Sequence, residues 1–281
     1  MSASELIFSL EIGLIYGVIA IGIYLTFRII DFPDLSCDGS FVLGTAVSSM
    51  LIKAGYNPCL ALLVACLAGC IAGITTGILN KYLKITNLLS GILVAFMLYS
   101  INLHVMHGIP NIALIGVQTI FSNINSIVIL SLICCLVVLV FGYILTTNFG
   151  LAIRCLGQNK ILAQNGGINI GTITLIVLGL SNSLISLGGA LFSQHQGFAD
   201  VGSGTGTVIV GFASVMIGER VLAYRSIWLQ LLSCLIGSIL YRVFISFALH
   251  SEVLGLESSD LNLVTGIMII IIMSLPRRHT C

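Results

Sequence analysis

The side chains able to do chemistry are few, and they sit at the edges of long apolar runs. Asp31, Asp34 and Asp38 fall within Asp31-Phe-Pro-Asp-Leu-Ser-Cys-Asp38, and Asp200 ends Gly197-Phe-Ala-Asp. Acids placed there suit the capping of exposed helix amides or the coupling of an ion. No convergent acid–base set accompanies them. His104 and His107 border one apolar run and His195 follows another, with no Ser or Cys nucleophile in a recognisable context. A Gly-x-x-x-x-Gly-Lys-[Ser/Thr] phosphate loop is absent, so the chain has no Walker loop for ATP. Gly202, Gly204 and Gly206 superficially suggest a dinucleotide turn but lack the preceding strand and the following acid. Non-helical glycine backbone is tolerated at membrane depth where it lines a cavity. That stretch therefore reads as part of a pathway or gate, or as a flexible external loop.

Nine cysteines (37, 59, 66, 70, 134, 135, 155, 234 and 281) lie mostly inside apolar runs and read as small buried hydrophobes rather than a disulfide framework. Cys66 and Cys70 would share a helix face, but no His or acid joins them at ligand spacing, so no metal site is expected.

One polar interruption stands apart. Residues 148–169 are glycine-bounded, carry Arg154 and Lys160, and contain no acid. Asn159, Ala163 and Gly167 recur every four residues and would line one face of a short helix. A short basic helix between two spans suits a docking site on the cytoplasmic side; an ordinary loop is the alternative.

The elements that must hold these residues follow from composition. Of 281 residues, 58% are hydrophobic and 7% charged, and the mean hydropathy is +1.15. Soluble domains carry about 25% charged residues, so this is an all-α, polytopic integral membrane protein forming one transmembrane domain over 1–281. A helix needs ~20 apolar residues to cross the hydrocarbon, which gives eight to ten spans. We place them near 6–30, 41–52, 59–79, 88–105, 124–145, 170–192, a span ending near 217, 227–249 and 261–275. The first has no basic flank or cleavage site and should remain as a helix. Pro33 interrupts the chain before the second. The third carries Ala65, Gly69, Gly73 and Gly77 in register, a stripe that lets two helix backbones approach closely. Arg242, deep in the eighth, should face protein or water rather than lipid, unless it snorkels.

Charge assigns sides. Lys81, Lys84, Arg154, Lys160, Arg220, Arg225, Arg277 and Arg278 fall on one side under alternating crossings, whereas loops 107–123, 194–202 and 250–260 hold no Lys or Arg. The basic side and the C-terminus are therefore expected in the cytoplasm. Arg28 and Lys53 flank the second span on both sides, so the side of the N-terminus stays open between a full crossing and a re-entrant span.

An internal repeat appears at an offset of 166: Gly22/Gly188, Phe32/Phe198, Asp34/Asp200, Val42/Val208, Ser48/Ser214 and Met50/Met216. Related halves are a recurring feature of transporters, with the pathway between them.

Residues 148–219 resemble the permease subunits of ABC importers of the branched-chain-amino-acid and ribose type. The carriers are Gly157-x-Asn159-x-x-x-Ala163-x-x-x-Gly167-Ile168, similar to that family's cytoplasmic coupling element. Ser181-Asn182, Gly188-Gly189-Ala190, Gln194-x-Gln196-Gly197-Phe198-Ala199-Asp200, Asp38-Gly39-Ser40-Phe41 and Tyr241-Arg242 resemble more narrowly the subfamily paired with a lipoprotein-like solute-binding protein. Gly166-Gly167 departs from the pattern and should end the coupling helix early. The resemblance implies a permease homodimer in a bacterial cytoplasmic membrane, two cytoplasmic ATPases that bind the ATP, and an extracytoplasmic solute-binding protein. It implies no cofactor and no nucleic-acid partner. Coupling would fall to Arg154, Gly157, Asn159, Ala163, Gly167 and Ile168, with Ala163 against the ATPase; Asp34, Asp38, Asn182, Asp200 and Gly204 are the pathway or gate candidates. The rival is a stand-alone secondary transporter using its membrane acids for ion coupling.

Overall fold

The computed structural model describes residues 3–122, 124–222, 226–249 and 261–274. Arg225, Arg277, Arg278 and the loop 250–260, which entered the charge argument, lie outside them, as does Cys281.

Eleven α-helices follow in order: α1 Ala3–Ile23, α2 Ser36–Lys53, α3 Pro58–Tyr82, α4 Asn87–Val105, α5 Ser126–Thr146, α6 Asn148–Gln158, α7 Lys160–Asn165, α8 Ile170–Gln196, α9 Thr207–Val221, α10 Ile227–Leu249 and α11 Leu261–Ser274. Among the described residues, seven helical stretches are long and apolar enough to cross a membrane: Ser4–Ile29, α3, α4, α5, α8, Val201–Val221 and most of α10. The first is α1 continued by a π-helical turn, Tyr24–Ile29. The more polar α2 and the short α11 bring the membrane elements among the described residues to nine. Local chemistry sets their limits. Asn57 accepts from the Cys59 amide with Pro58 at the first helical position of α3. Asn169 accepts from the Thr172 amide at the start of α8, which ends on Gly197 in the left-handed region at φ 76°.

Sequence periodicity misses one feature. β1, Asn111–Ala113, and β2, Phe198–Asp200, pair antiparallel with Ile112 opposite Ala199. Three-residue strands are too short to show an alternating pattern. The expected loop at 194–202 is thereby ordered, its first residues belonging to α8.

Close helix seams organise the rest. Ala65, Gly69, Gly73 and Gly77 are all buried. Any side chain added at Gly69 or Gly73 would strike the α8 backbone at Asn182 or Leu178. Ser186 Oγ donates to the Ala65 carbonyl at 2.6 Å across the seam. The stripe thus brings α3 onto α8 with a polar bond between the helices. Gly13 and Gly17 do the same for α1 against Ile239 and Leu235 of α10, and Ser238 Oγ donates to the Gly13 carbonyl at 2.8 Å.

These seams are the two copies of one arrangement. At the offset of 166, α1 with its π turn matches α8, α2 matches α9, α3 matches α10 and α4 matches α11. Where α1 crosses α8, Gly22 packs on Ser181 and Ile185, while Gly188 packs on Ile15 and Ile19. Positions 15 and 19 are the repeat equivalents of 181 and 185, so each half presents the same positions to the other. The halves run in opposite directions: Glu11, early in α1, contacts His195, at the end of α8, at 2.9 Å. This is an inverted repeat about an axis through the α1–α8 crossing.

Inversion also fixes the course of the chain. α1 ends beside α6, where a side chain at Gly157 would strike the Ile29 carbonyl. Residues 31–35 then turn back into the body, and α2 continues outward, Ser48 Oγ accepting from Gln194 Nε2 near the end of α8 at 3.1 Å. The second crossing is completed by loop and helix together and does not return to its starting side. The N-terminus therefore lies opposite the basic end that gathers Arg28, Lys81, Arg154 and Lys160.

Candidate functional site

Two interrupted helices meet inside the helical body. The first interruption begins where α1 widens into its π turn and Asp31 takes φ 52°, the repeat equivalent of Gly197 at φ 76°. Asp34 is fully buried. Its Oδ1 accepts from the Ser36 amide at 2.8 Å and the Ser36 hydroxyl at 2.6 Å. Its Oδ2 accepts from Asn182 Nδ2 at 2.8 Å. Asn182, also fully buried, lies twelve residues into α8, about 18 Å along it at 1.5 Å per residue. Asp200 repeats the local bond: its Oδ1 accepts from the Gly202 amide at 2.6 Å, again two residues on. Phe-x-Asp thus builds the same Asx turn in both halves.

The two turns have different surroundings. Asp200 ends β2 and its Oδ2 accepts from Asn111 Nδ2 at 3.2 Å near the surface. It caps the short 3-10 turn Val201–Gly204 rather than α9, which starts at Gly206 with φ 85°. The expectation that Asp200 caps the following membrane helix is corrected: that task falls to Asp38 in the other half. Asp38 Oδ1 accepts from the Val208 amide at 2.9 Å and Oδ2 from the Gly206 amide at 3.3 Å, placing a carboxylate on the positive end of α9. A side chain at Gly204 would strike the Asp38 carbonyl and Val42. Of the pathway candidates, Asp34 joins Asn182, Asp38 joins Gly204, and Asp200 stands apart at the surface.

Arg242 stacks on the ring of Tyr16, its guanidinium carbon 4.2 Å from the ring centre. Tyr16 lies midway along the Ser4–Ile29 span. Arg242 therefore faces protein at mid-depth instead of reaching for an interface.

At the basic end, the 148–169 segment is two helices. Asn159, extended at φ −156° and ψ 105°, breaks it, and its Oδ1 accepts from the Ile161 and Leu162 amides at 3.0 Å each. α7 ends at Asn165, as the double glycine implies. Gly167 takes φ 79°, and the Ile168 amide donates back to the Ala163 carbonyl at 3.0 Å. Ala163 is fully buried in a core with Ile29, Leu145, Ile153 and Leu156. This corrects the expectation that Ala163 meets a partner. Of that four-residue series only Ala163 turns into the chain's own body, Asn159 and Gly167 being exposed, and the outward face carries Ile161, 72% exposed, and Leu162, 62% exposed. Gly157, Asn159, Ala163, Gly167 and Ile168 hold the segment in place, whereas Arg154 Nε is buried without a hydrogen-bond partner; the exposed pair was missed. Two adjacent large apolar residues inside a polar stretch, Lys160-Ile-Leu-Ala-Gln-Asn165, were the available signal.

Among the described residues no group of three His, Cys, Asp or Glu side chains comes together to hold a metal, and the eight described cysteines are free.

Comparison with known proteins agrees with this architecture. The chain is 40% identical over 262 residues, 92% of its length and 86% of the relative's, to a tyrosine transport system permease protein of Clostridioides difficile (strain R20291). It is 34% identical over 281 residues, 98% of each chain, to an uncharacterized protein of Rickettsia prowazekii (strain Madrid E). No solved structure matches it significantly. Residues 6–273 match the family model described as "Branched-chain amino acid transport system / permease component". A multi-pass body of inverted halves fits a transport subunit, and the chain belongs to that family of permease components.

Proposed function

We propose that the chain forms the membrane pathway of an ABC importer for a small amino-acid-like solute, as a homodimer bound to two cytoplasmic ATPases and served by an extracytoplasmic binding protein. ATP binds and is hydrolysed in the ATPases, and the solute class is suggested by the tyrosine transport relative. The basic end, with the C-terminus, faces the cytoplasm of a bacterial inner membrane.

One observation carries the coupling role. Ile161 and Leu162 project from a helix whose other face is locked into the core through Ala163. Exposed apolar residues on a rigid, polar-flanked helix suit insertion into a partner's groove. The same core contains Ile29 and Leu156, and Gly157 seats α6 on the end of α1. A push on α7 is therefore delivered to the first interrupted helix. Of Asp31, Asp34, Asp38 and Asp200, the acids a secondary transporter could use, Asp34 and Asp200 are committed to holding turns, and Asp38 caps α9 with part of its hydrogen-bonding capacity.

The test is co-expression with a cytoplasmic ATPase subunit of an ABC importer from the same organism. Ile161→Asp with Leu162→Asp should abolish co-purification and solute-stimulated ATP hydrolysis while the permease stays inserted and monodisperse. Normal hydrolysis and transport by that double variant would remove α7 from the coupling path.

A further inference from the structure

A cavity of about 590 Å³ lies between α2, α4 and the Val201–Gly204 turn, against the place where the two interrupted helices meet. That volume falls in the range of small-molecule sites. Its walls are mainly apolar, including Val42, Phe96 and Tyr99, with Asp38, Asn102 and Thr205 as polar members. No Lys, Arg or His lines it.

The polar groups ask for one kind of partner. Asn102 is fully buried. Its Nδ2 donates to the Gly39 carbonyl at 3.1 Å, which fixes the amide, because a flipped side chain would set oxygen against oxygen. Its Oδ1 is left buried without any hydrogen-bond donor, and such an acceptor is costly to leave unmet. Asp38 spends part of its capacity on the Gly206 and Val208 amides, and a carboxylate has about four lone-pair sites. The Thr205 hydroxyl already donates to the Gly202 carbonyl at 2.9 Å. The cavity thus offers acceptors and negative charge beside two aromatic rings, with no cation to receive an anion.

We infer that this cavity is a solute-binding site of the pathway that takes a protonated primary amine bearing an aromatic or apolar body. The ammonium donates to Asp38 at the cavity wall, with the unmet Asn102 Oδ1 buried in the wall behind it, and the body lies against Phe96 and Tyr99. An aromatic amino acid presents such an end, its carboxylate pointing out of the cavity. This rests on the importer reading for its place in transport, but the binding chemistry stands on the cavity alone.

The experiment uses the full chain in lipid nanodiscs with radiolabelled tyramine, competed by L-tyrosine and by 3-(4-hydroxyphenyl)propionate, which lacks the amine. Tyramine should bind, L-tyrosine should displace it, and the propionate should not. Asn102→Leu should weaken binding, and Asp38→Asn should weaken it about tenfold or more, the scale of a lost charge-assisted hydrogen bond. Asn keeps one capping oxygen, enough for the Val208 amide but not also for that of Gly206, so the second change retains the shorter of the two bonds to α9. Phe96→Ala and Tyr99→Ala alter exposed side chains, leave the fold intact and should weaken binding severalfold. Absence of tyramine binding, competition by the propionate equal to that of L-tyrosine, unchanged binding by the Asn102 and Phe96 variants, or a lipid acyl chain that tyramine cannot displace would each overturn the site. ATP-driven uptake by the assembled complex is read separately. Uptake without amine binding removes only this site, whereas amine binding with no ATPase association removes the importer reading.

Discussion

Ala163 and Asp34 are small residues whose roles depend on what surrounds them. The sequence spacing identified Ala163, but a helix of six residues has two faces and spacing does not say which is outward. Burial does. Ala163→Trp would force an indole into a core that already holds Ile29, Leu145 and Leu156, and overpacking of this kind costs roughly 1–3 kcal/mol or more. We expect a lowered melting temperature of the permease alone in detergent, before any ATPase is added; an unchanged melting temperature with lost docking would restore the outward reading. Asp34 differs from Asp200 in the same way. Removing the buried Asp34 carboxylate strands Asn182 and Ser36, at about 1–3 kcal/mol for each unmet group. Asp200 serves a turn near the surface, where a lost cap costs about 0.5–2 kcal/mol. Asp34→Ala should therefore reduce folded yield more than Asp200→Ala, with Asn milder than Ala at both positions. Equal loss in thermal melts of the two Ala variants would contradict that ranking. The Phe-x-Asp pair was legible from sequence; the unequal burial was not, because the partners Asn182 and Asn111 come from other elements.

Element boundaries followed sequence signals wherever those signals are local. Pro58 behind Asn57, Asn169 before α8 and the glycine after it mark helix ends that the structure keeps. The early start of α2, at Ser36 instead of near 41, was hidden because its first turn is polar. Ser36 and Cys37 are nonetheless completely buried, since that turn enters protein and not lipid. The glycine stripe of α3 was legible as a close seam, although its partner α8 was not. That seam makes a direct comparison possible. Gly73→Ala places a methyl group against the Leu178 carbonyl, where neither backbone can yield without separating the helices. Gly166→Ala meets only ordinary contacts at 3.4 Å and has no positive φ to strain. Measured by fluorescence-detected size exclusion, Gly73→Ala should lose most monodisperse protein and Gly166→Ala should match wild type. Tolerance of Gly73→Ala would mean that α3 and α8 do not pack this closely in the membrane.

Across the whole molecule, the inverted repeat and the charge asymmetry constrain one another. The repeat was legible as a sparse match at an offset of 166, and its inversion follows from the five crossings, an odd number, that run from α1 through α5 before α8 begins the second copy. The side of the N-terminus was undecidable from charge alone because Arg28 and Lys53 flank the second crossing. The structure separates them: Arg28 Nε meets Glu219, at the end of α9, at 2.6 Å on the basic side, while Lys53 ends α2 on the other. Two native cysteines report this arrangement. Cys59 is exposed at the start of α3, in its capped first turn, and Cys155 is partly exposed in α6. α3 runs from the Cys59 end to Lys81, whose Nζ donates to Thr172 Oγ1 of α8 at 3.0 Å, so the two thiols lie at opposite ends of the body. In intact cells carrying single-cysteine variants, an impermeant maleimide should label Cys59 and leave Cys155 unlabelled until the membrane is permeabilised. Labelling of Cys155 alone would invert the orientation and move α7 away from any cytoplasmic ATPase. Labelling of both from outside would break the parity of crossings, and with it the inverted relation of the two halves.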